Sequence, residues 1–162
     1  MKLDMKLFAE KIVFSVILVL AAAAGMLAQG RSIAVVVGSR NPSSNLSLSE
    51  LRKIFSGEKR SWPDGTKVRL ISRAPGTVER SALLRLLAKS EAEYKQYWTG
   101  KIYQGEAESE PLVLPSVGMQ KEALTAFPGA IALFDKVDVK PGMKVLKIDG
   151  KLPEDSGYPL TQ

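Results

Sequence analysis

Apolar residues along this chain follow two rhythms, and their alternation predicts an α/β fold. Residues 33–37, Ile33-Ala34-Val35-Val36-Val37, form an unbroken, largely β-branched run. That is the pattern of a strand covered on both faces, as in a parallel sheet. A polar loop over residues 39–45 follows. Ser47 and Glu50 then stand at the S-x-x-E spacing of a capping box, with Leu48, Leu51, Ile54 and Phe55 on the inner face of the helix it opens. Gly57 stops that helix. Trp62-Pro63-Asp64-Gly65 is turn chemistry, and residues 68–71 read as the next strand.

The second half repeats the alternation. Thr77 caps a helix running to about Lys89, with Leu83, Leu84, Leu86 and Leu87 inward. Ser90 and Glu93 form a second capping box, and Tyr94, Tyr97 and Trp98 give its helix an aromatic face. Residues 105–115 read as a loop and residues 117–126 as a helix. Pro128-Gly129 turns into a short strand over residues 130–134, and residues 139–142 are a loop. Residues 144–148 alternate Lys with Val, Leu and Ile, the pattern of a half-exposed edge strand. The Pro-containing tail, residues 152–160, is expected to be extended. Strands alternating with helices give an α/β class: a central, mostly parallel sheet flanked by helices.

The N-terminal stretch changes the picture of where the domain begins. Lys2, Lys6 and Lys11 precede an apolar run over residues 12–24, then small residues and a polar break at Gln29-Gly30. This is the layout of an export signal. The run is shorter than the roughly 20 apolar residues of a spanning helix, so cleavage is favoured over an uncleaved anchor. Cleavage after Ala28 and after Gly30 both fit. The expected organisation is a signal peptide over residues 1–28 and one domain over residues 29–162, a size that supports a single core. The expected location is the periplasm.

Composition narrows the chemistry. The chain has no Cys and no His. It therefore has no disulfide, thiol nucleophile or lipobox cysteine, and it lacks the commonest general base and metal ligand. A Ser nucleophile with a Lys base is the remaining enzymatic option, and no spacing singles one out. The expected function is not enzymatic, and no residue pattern calls for a cofactor. The net charge of +6 would attract anionic solutes, lipid headgroups or surface polysaccharide outside the cytoplasm. Nucleic acid is not an expected partner there. Interspersed charges such as Glu50, Arg52 and Lys53 read as a solvated surface.

Two loops are candidates for a ligand site beyond the C-terminal ends of strands. One is residues 39–45, with Ser43 and Ser44. The other is Ser72-Arg73-Ala74-Pro75-Gly76-Thr77. Gly76 has no side chain to block an oxyanion, and the N–H groups at the start of the following helix carry partial positive charge. Arg80 lies one turn on, leaning toward that end, and Arg73 approaches from the strand. The bland reading stands beside it. Pro-Gly-Thr is an ordinary turn and cap, Arg80 would pair with Glu79 or Glu50, and Glu79 would repel an anion. Trp62, Tyr94, Tyr97, Trp98 and Tyr103 are read as core rather than as a binding surface. Asp135 and Asp138 sit near a strand end with nothing to complete a metal site around them.

From Ile33 onward the chain resembles the phosphate-binding proteins of ABC transporters. Four segments carry the likeness: the helix of residues 46–57, with Leu51, Ile54, Phe55 and Gly57; Trp62 with Asp64-Gly65; Ser72 to Thr77; and Pro128-Gly129-Ala130-Ile131. Tyr97-Trp98, Gly105 and Gly157-Tyr158-Pro159-Leu160 are similar to a short, single-lobe branch of that family. The resemblance implies a type II periplasmic-binding-protein-like single lobe. It also implies phosphate or a similar small anion held by Ser43, Ser44, Arg73, Gly76, Thr77 and Arg80, and an ABC permease or other envelope protein as partner. Pro75 replaces the family's loop serine, Ala132-Leu133 replace its Gly-Tyr pair, and a second lobe is missing. These departures motivate the alternative of a ligand-free accessory or sensory module, acting as a homodimer that replaces the missing lobe.

Overall fold

The computed structural model describes residues 30–161, so the signal-peptide expectation for residues 1–28 lies outside the described residues. Six strands are present: β1 (Ile33–Val37), β2 (Asn45–Leu46), β3 (Arg69–Arg73), β4 (Leu112–Leu114), β5 (Ala130–Asp135) and β6 (Lys144–Ile148). The helices are α1 (Leu48–Phe55), α2 (Val78–Leu87), α3 (Glu91–Tyr103) and α4 (Val117–Ala126), with a short 3₁₀ turn at Lys136–Asp138. The strands form one sheet in the order β2-β6-β1-β5-β3-β4.

Five strands run in one direction and β1 runs against them. β3 is parallel to β4 and β5, and β2 is parallel to β6. β1 is antiparallel to both its neighbours, β5 and β6. The mostly parallel sheet is thus present, but the direction expected for β1 is corrected. Its apolar run reports burial on two faces, and burial carries no information on direction. All five β1 residues are buried, and each Val or Ile buried there contributes about 1.5–3 kcal/mol.

Alternation along β1 splits the core in two. Ile33, Val35 and Val37 pack with Leu51, Ile54 and Phe55 of α1, Leu83 and Leu86 of α2, and Tyr94 and Trp98 of α3. Ala34 and Val36 pack with Ala123 and Leu124 of α4 on the other face. Both predicted capping boxes are formed, at Ser47 with Glu50 and at Ser90 with Glu93.

Other expectations need correction. β6 is not an edge strand: it lies between β2 and β1, although Leu146 and Ile148 are buried and Lys147 is exposed as its alternation requires. β2 and β4 fall in segments expected to be loops. The tail is not extended but turns back on β1. Tyr158 Oη donates to Ile33 O at 2.8 Å, and Ile33 N donates to Leu160 O at 3.0 Å. Tyr103, expected in the core, is 92% exposed.

Two connections set up the site. β3 leads through α2 and α3 to β4 on one side, and β4 leads through α4 to β5 on the other side of β3. The helices of the two connections cover opposite faces. In such sheets, chains departing in opposite directions make the C-terminal end of β3 the expected place for a ligand crevice. The start of β5 is fixed by Gly129, where a Cβ would stand 1.9 Å from Lys67 O. The carbonyl of Gly129 accepts from Trp62 Nε1 at 3.0 Å, which ties the tryptophan turn to the sheet.

Candidate functional site

The turn after β3 has the predicted form. Gly76 takes a left-handed φ of 85°, and a Cβ there would meet open space. Thr77 is the N-cap of α2, and its Oγ1 accepts from Arg80 N at 3.2 Å. The same hydroxyl donates to Ala74 O at 2.9 Å. The proton expected to reach a ligand is therefore used inside the turn. Pro75 is exposed and does not fill the crevice.

Arg73 and Arg80 have separate surroundings. Arg73 Nε lies 3.9 Å from Glu79 Oε2, beyond hydrogen-bond length, with the Glu79 side chain 5% exposed. Arg73 Nε and Nη1 are buried and have no hydrogen-bond partner. Arg80 instead makes a bidentate pair with Glu91: Nε donates to Oε1 at 2.9 Å and Nη2 to Oε2 at 2.8 Å. Its Nη1 donates to Ser72 Oγ at 2.9 Å, and its guanidinium lies 4.1 Å from the centre of the Tyr94 ring. Burial, the largest single influence, pulls the Arg80 pKa down, but the hydrogen bonds and charge interactions with Glu91 and Tyr94 together outweigh it and the guanidinium ends above its ordinary value. Those hydrogen bonds hold Glu91 below the usual carboxylate range. Burial pushes the Tyr94 phenol up to about 12. Arg80 therefore pairs with neither Glu79 nor Glu50. Glu91, the first residue of α3, is nearer in space because the link from α2 is tight: Ala88 takes a left-handed φ of 51°.

Ser43 and Ser44 are not brought to this crevice. Since β1 runs against the sheet, its C-terminal end lies beside the start of β5: Gly38 N donates to Ala130 O at 3.3 Å. Residues 39–45 therefore start at the opposite end of the sheet from Gly76 and climb its far edge, where Asn45 pairs with Lys147 and β6, β1 and β5 stand between them and β3. There Asn41 Oδ1 accepts from Ser43 N, Ser44 O accepts from Lys147 N, and Lys144 Nζ donates to Asn41 O. Of the six predicted residues, Arg73, Gly76, Thr77 and Arg80 share the C-terminal end of β3.

Sequence reasoning missed Gln120 at this end, while it notes Asp135 near a strand end. Gln120 of α4 and Asp135 at the end of β5 are both buried. Asp135 Oδ2 pairs with Arg31 Nε at 2.9 Å. Among the described residues no cluster of three or more acidic side chains is arranged to hold a metal. A cleft of about 400 Å³ lies at the start of β3, lined by Lys67, Arg69, Trp98 and Glu110 among others. It stands away from the Gly76 turn, and Lys67, Arg69 and Glu110 are exposed.

No family model matches the chain, and no curated protein matches it by sequence. Solved structures do match. A phosphate ABC transporter substrate-binding protein with bound phosphate, from Clostridium perfringens, superposes with a TM-score of 0.60 at 18% identity, over 76% of this chain and 47% of that one. An ABC-type phosphate transport receptor from Vibrio cholerae gives 0.61 at 19% identity, over 76% and 48%. PstS from Borrelia burgdorferi gives 0.56 at 18% identity, over 76% and 49%. The chain shares the fold of these structures and spans about half of their length. No helix among the described residues is long and apolar enough to cross a membrane.

Proposed function

We propose that this chain is an exported solute-binding domain that holds phosphate or a similar oxyanion at the start of α2, and that it is not an enzyme. The observation that carries this reading is Arg73: a half-buried side chain whose guanidinium Nε and Nη1 are buried and lack hydrogen-bond partners, at the end of β3 beside the Gly76 turn. An orphaned buried donor is costly and calls for a partner. An oxyanion seated over Gly76 would meet Arg73, backbone N–H groups at the helix start and the positive end of the α2 dipole. Arg80 would have to leave Glu91 to join it, so its part in this reading is to brace Ser72 and the helix. Ser43 and Ser44 lie at the far edge of the sheet, with β6, β1 and β5 between them and β3, and contribute nothing to this geometry.

The solved neighbours described as phosphate transport proteins support a small anion as ligand and an ABC permease or other envelope protein as partner. Held by the described residues alone, the ion would stay partly hydrated and each charge-assisted bond would be weaker. A Kd between roughly 10 µM and 1 mM follows, equivalent to about 4–7 kcal/mol. Isothermal titration with sodium phosphate at low salt tests it: saturable heat in that range is expected, and none up to several millimolar rejects it.

One observation favours a second reading. The buried Glu79 carboxylate already stands beside Arg73, and the Thr77 hydroxyl is consumed by Ala74. In that case the half-fold is an accessory or sensory module, paired with an envelope protein or with a second copy of itself. Sedimentation and capture from envelope extracts would show a stable complex; a strict monomer with saturable phosphate binding would set this reading aside.

A further inference from the structure

A second cavity, also of about 400 Å³, is lined by residues from the C-terminal ends of α1 and α2. α2 is ten residues long, so its last turn lies about 15 Å from the Gly76 end of the helix. Arg52 and Lys53 line the cavity from the last turn of α1, Arg85 from the last turn of α2, and Lys89 from the link that follows. Against these four cations the lining has one carboxylate, Glu58.

Two of the cations are held by contacts that leave their charge standing. Arg52 Nε donates to Leu86 O at 3.2 Å. Lys89 Nζ lies 4.6 Å from the centre of the Tyr97 ring, and Tyr97 is fixed in turn by its hydroxyl, which donates to Ser56 O at 2.8 Å. Among the described residues none of the four forms an ion pair. The nearby acids have other engagements. Glu58 accepts from Ser56 Oγ at 2.9 Å, Glu50 pairs with Lys59, and Glu93, whose charge Lys89 feels, closes the capping box at Ser90.

Basic residues in a last turn also complement the helix dipole, and that accounts for part of the cluster. Each helix end carries about half a negative elementary charge. Two ends and Glu58 together offset about two of the four cations, so a surplus of about two positive charges faces one cavity. Its volume lies within the range of small-molecule sites, roughly 300–1,000 Å³. A water takes about 30 Å³ of liquid, so the space holds an ion of several phosphoryl groups. A concave site suits a soluble ion better than a flat lipid surface.

We propose that this groove is a second anion site, which binds a small soluble ion carrying two or more linked phosphoryl groups. It stands apart from Arg73 and does not depend on the reading given there. Arg52 and Arg85 offer paired donors to phosphoryl oxygens, and Lys53 and Lys89 supply point charges beside them.

The test is isothermal titration of the full chain with sodium tripolyphosphate near pH 7 at low salt. Saturable binding with a Kd of about 10–100 µM is expected. The double variant Lys53→Gln with Arg85→Gln should weaken it about ten-fold, and both side chains are exposed, so the fold is kept. Lys136→Gln with Lys140→Gln, which removes the same charge from exposed positions outside the groove, should change it by less than about two-fold. Equal weakening by both pairs would mean attraction to net charge alone and overturns the proposal. Arg73→Met should leave tripolyphosphate binding in place; its loss there would move the ion to β3 and overturn the groove. Binding to phosphatidylglycerol vesicles without binding to tripolyphosphate would make the surface a membrane contact and also overturns it. A chain that binds inorganic phosphate but not tripolyphosphate loses this site and keeps the one at Arg73.

Discussion

Two arginines seven residues apart, Arg73 and Arg80, show opposite ways of burying a guanidinium. Around Arg80, two oxygens of Glu91, the hydroxyl of Ser72 and the face of Tyr94 meet the charge. Around Arg73, two nitrogens meet nothing within hydrogen-bond length, and the nearest carboxylate stands 3.9 Å away. Satisfied burial of the first kind fixes α2, α3 and β3 against one another. Unsatisfied burial of the second kind weakens the fold unless something arrives to complete it. On the proposed reading the difference separates a structural knot at Arg80 from a ligand seat at Arg73, although both residues looked alike as anion ligands in the sequence.

The largest effect expected from breaking this contrast is on stability at the knot. Arg80→Met should lower the unfolding free energy by about 2–3 kcal/mol, read from urea denaturation, since it removes charge-assisted bonds and the Tyr94 stack together. A loss below about 1 kcal/mol would make the knot incidental. Next comes Arg73→Met, which should weaken phosphate at least about ten-fold while stability moves by less than about 1 kcal/mol, because relief of two unpaired nitrogens offsets the loosened Glu79. A large fall in stability with unchanged binding would exchange the roles of the two arginines.

Glu79→Gln should act in the opposite sense. Removing the like charge beside the ion is expected to tighten phosphate by about three- to ten-fold, measured by the same titration. Weaker binding would show that the carboxylate helps to hold the ligand. The smallest effect is in pH. Glu91 has its pKa lowered in the folded state, so its contribution is present above the unfolded carboxylate value and is lost as pH falls through the lower, folded one. The melting temperature of the wild-type chain should therefore drop more steeply below about pH 4.3 than that of Arg80→Met. Parallel acid limbs would contradict the pairing.

Much of the scaffold was legible because its signals are local. Ser47 with Glu50 and Ser90 with Glu93 close their boxes within three residues, and both are formed. The α4 limits and β6 followed from spacing alone. What was hidden depends on partners distant in sequence. The direction of β1 is set by β5 and β6, nearly a hundred residues later, and the chain leaving it carries Ser43 and Ser44 to the far edge of the sheet, beside β6. β2 and β4, at two and three residues, are too short to show alternation. Arg80 had several carboxylates within reach on paper, and only the tight link after α2 selects Glu91. Gln120 gave no signal, since glutamine on a helix reads as solvent-facing; its burial exists only in three dimensions.

The central claim is that the unsatisfied guanidinium of Arg73 marks a seat for an oxyanion. A crystal structure of the chain grown with millimolar phosphate addresses it directly. The account predicts a tetrahedral ion within hydrogen-bond distance of Arg73 and the start of α2, with Arg80 still bound to Glu91. A crevice with no ion and Glu79 closed onto Arg73 at hydrogen-bond length would contradict it.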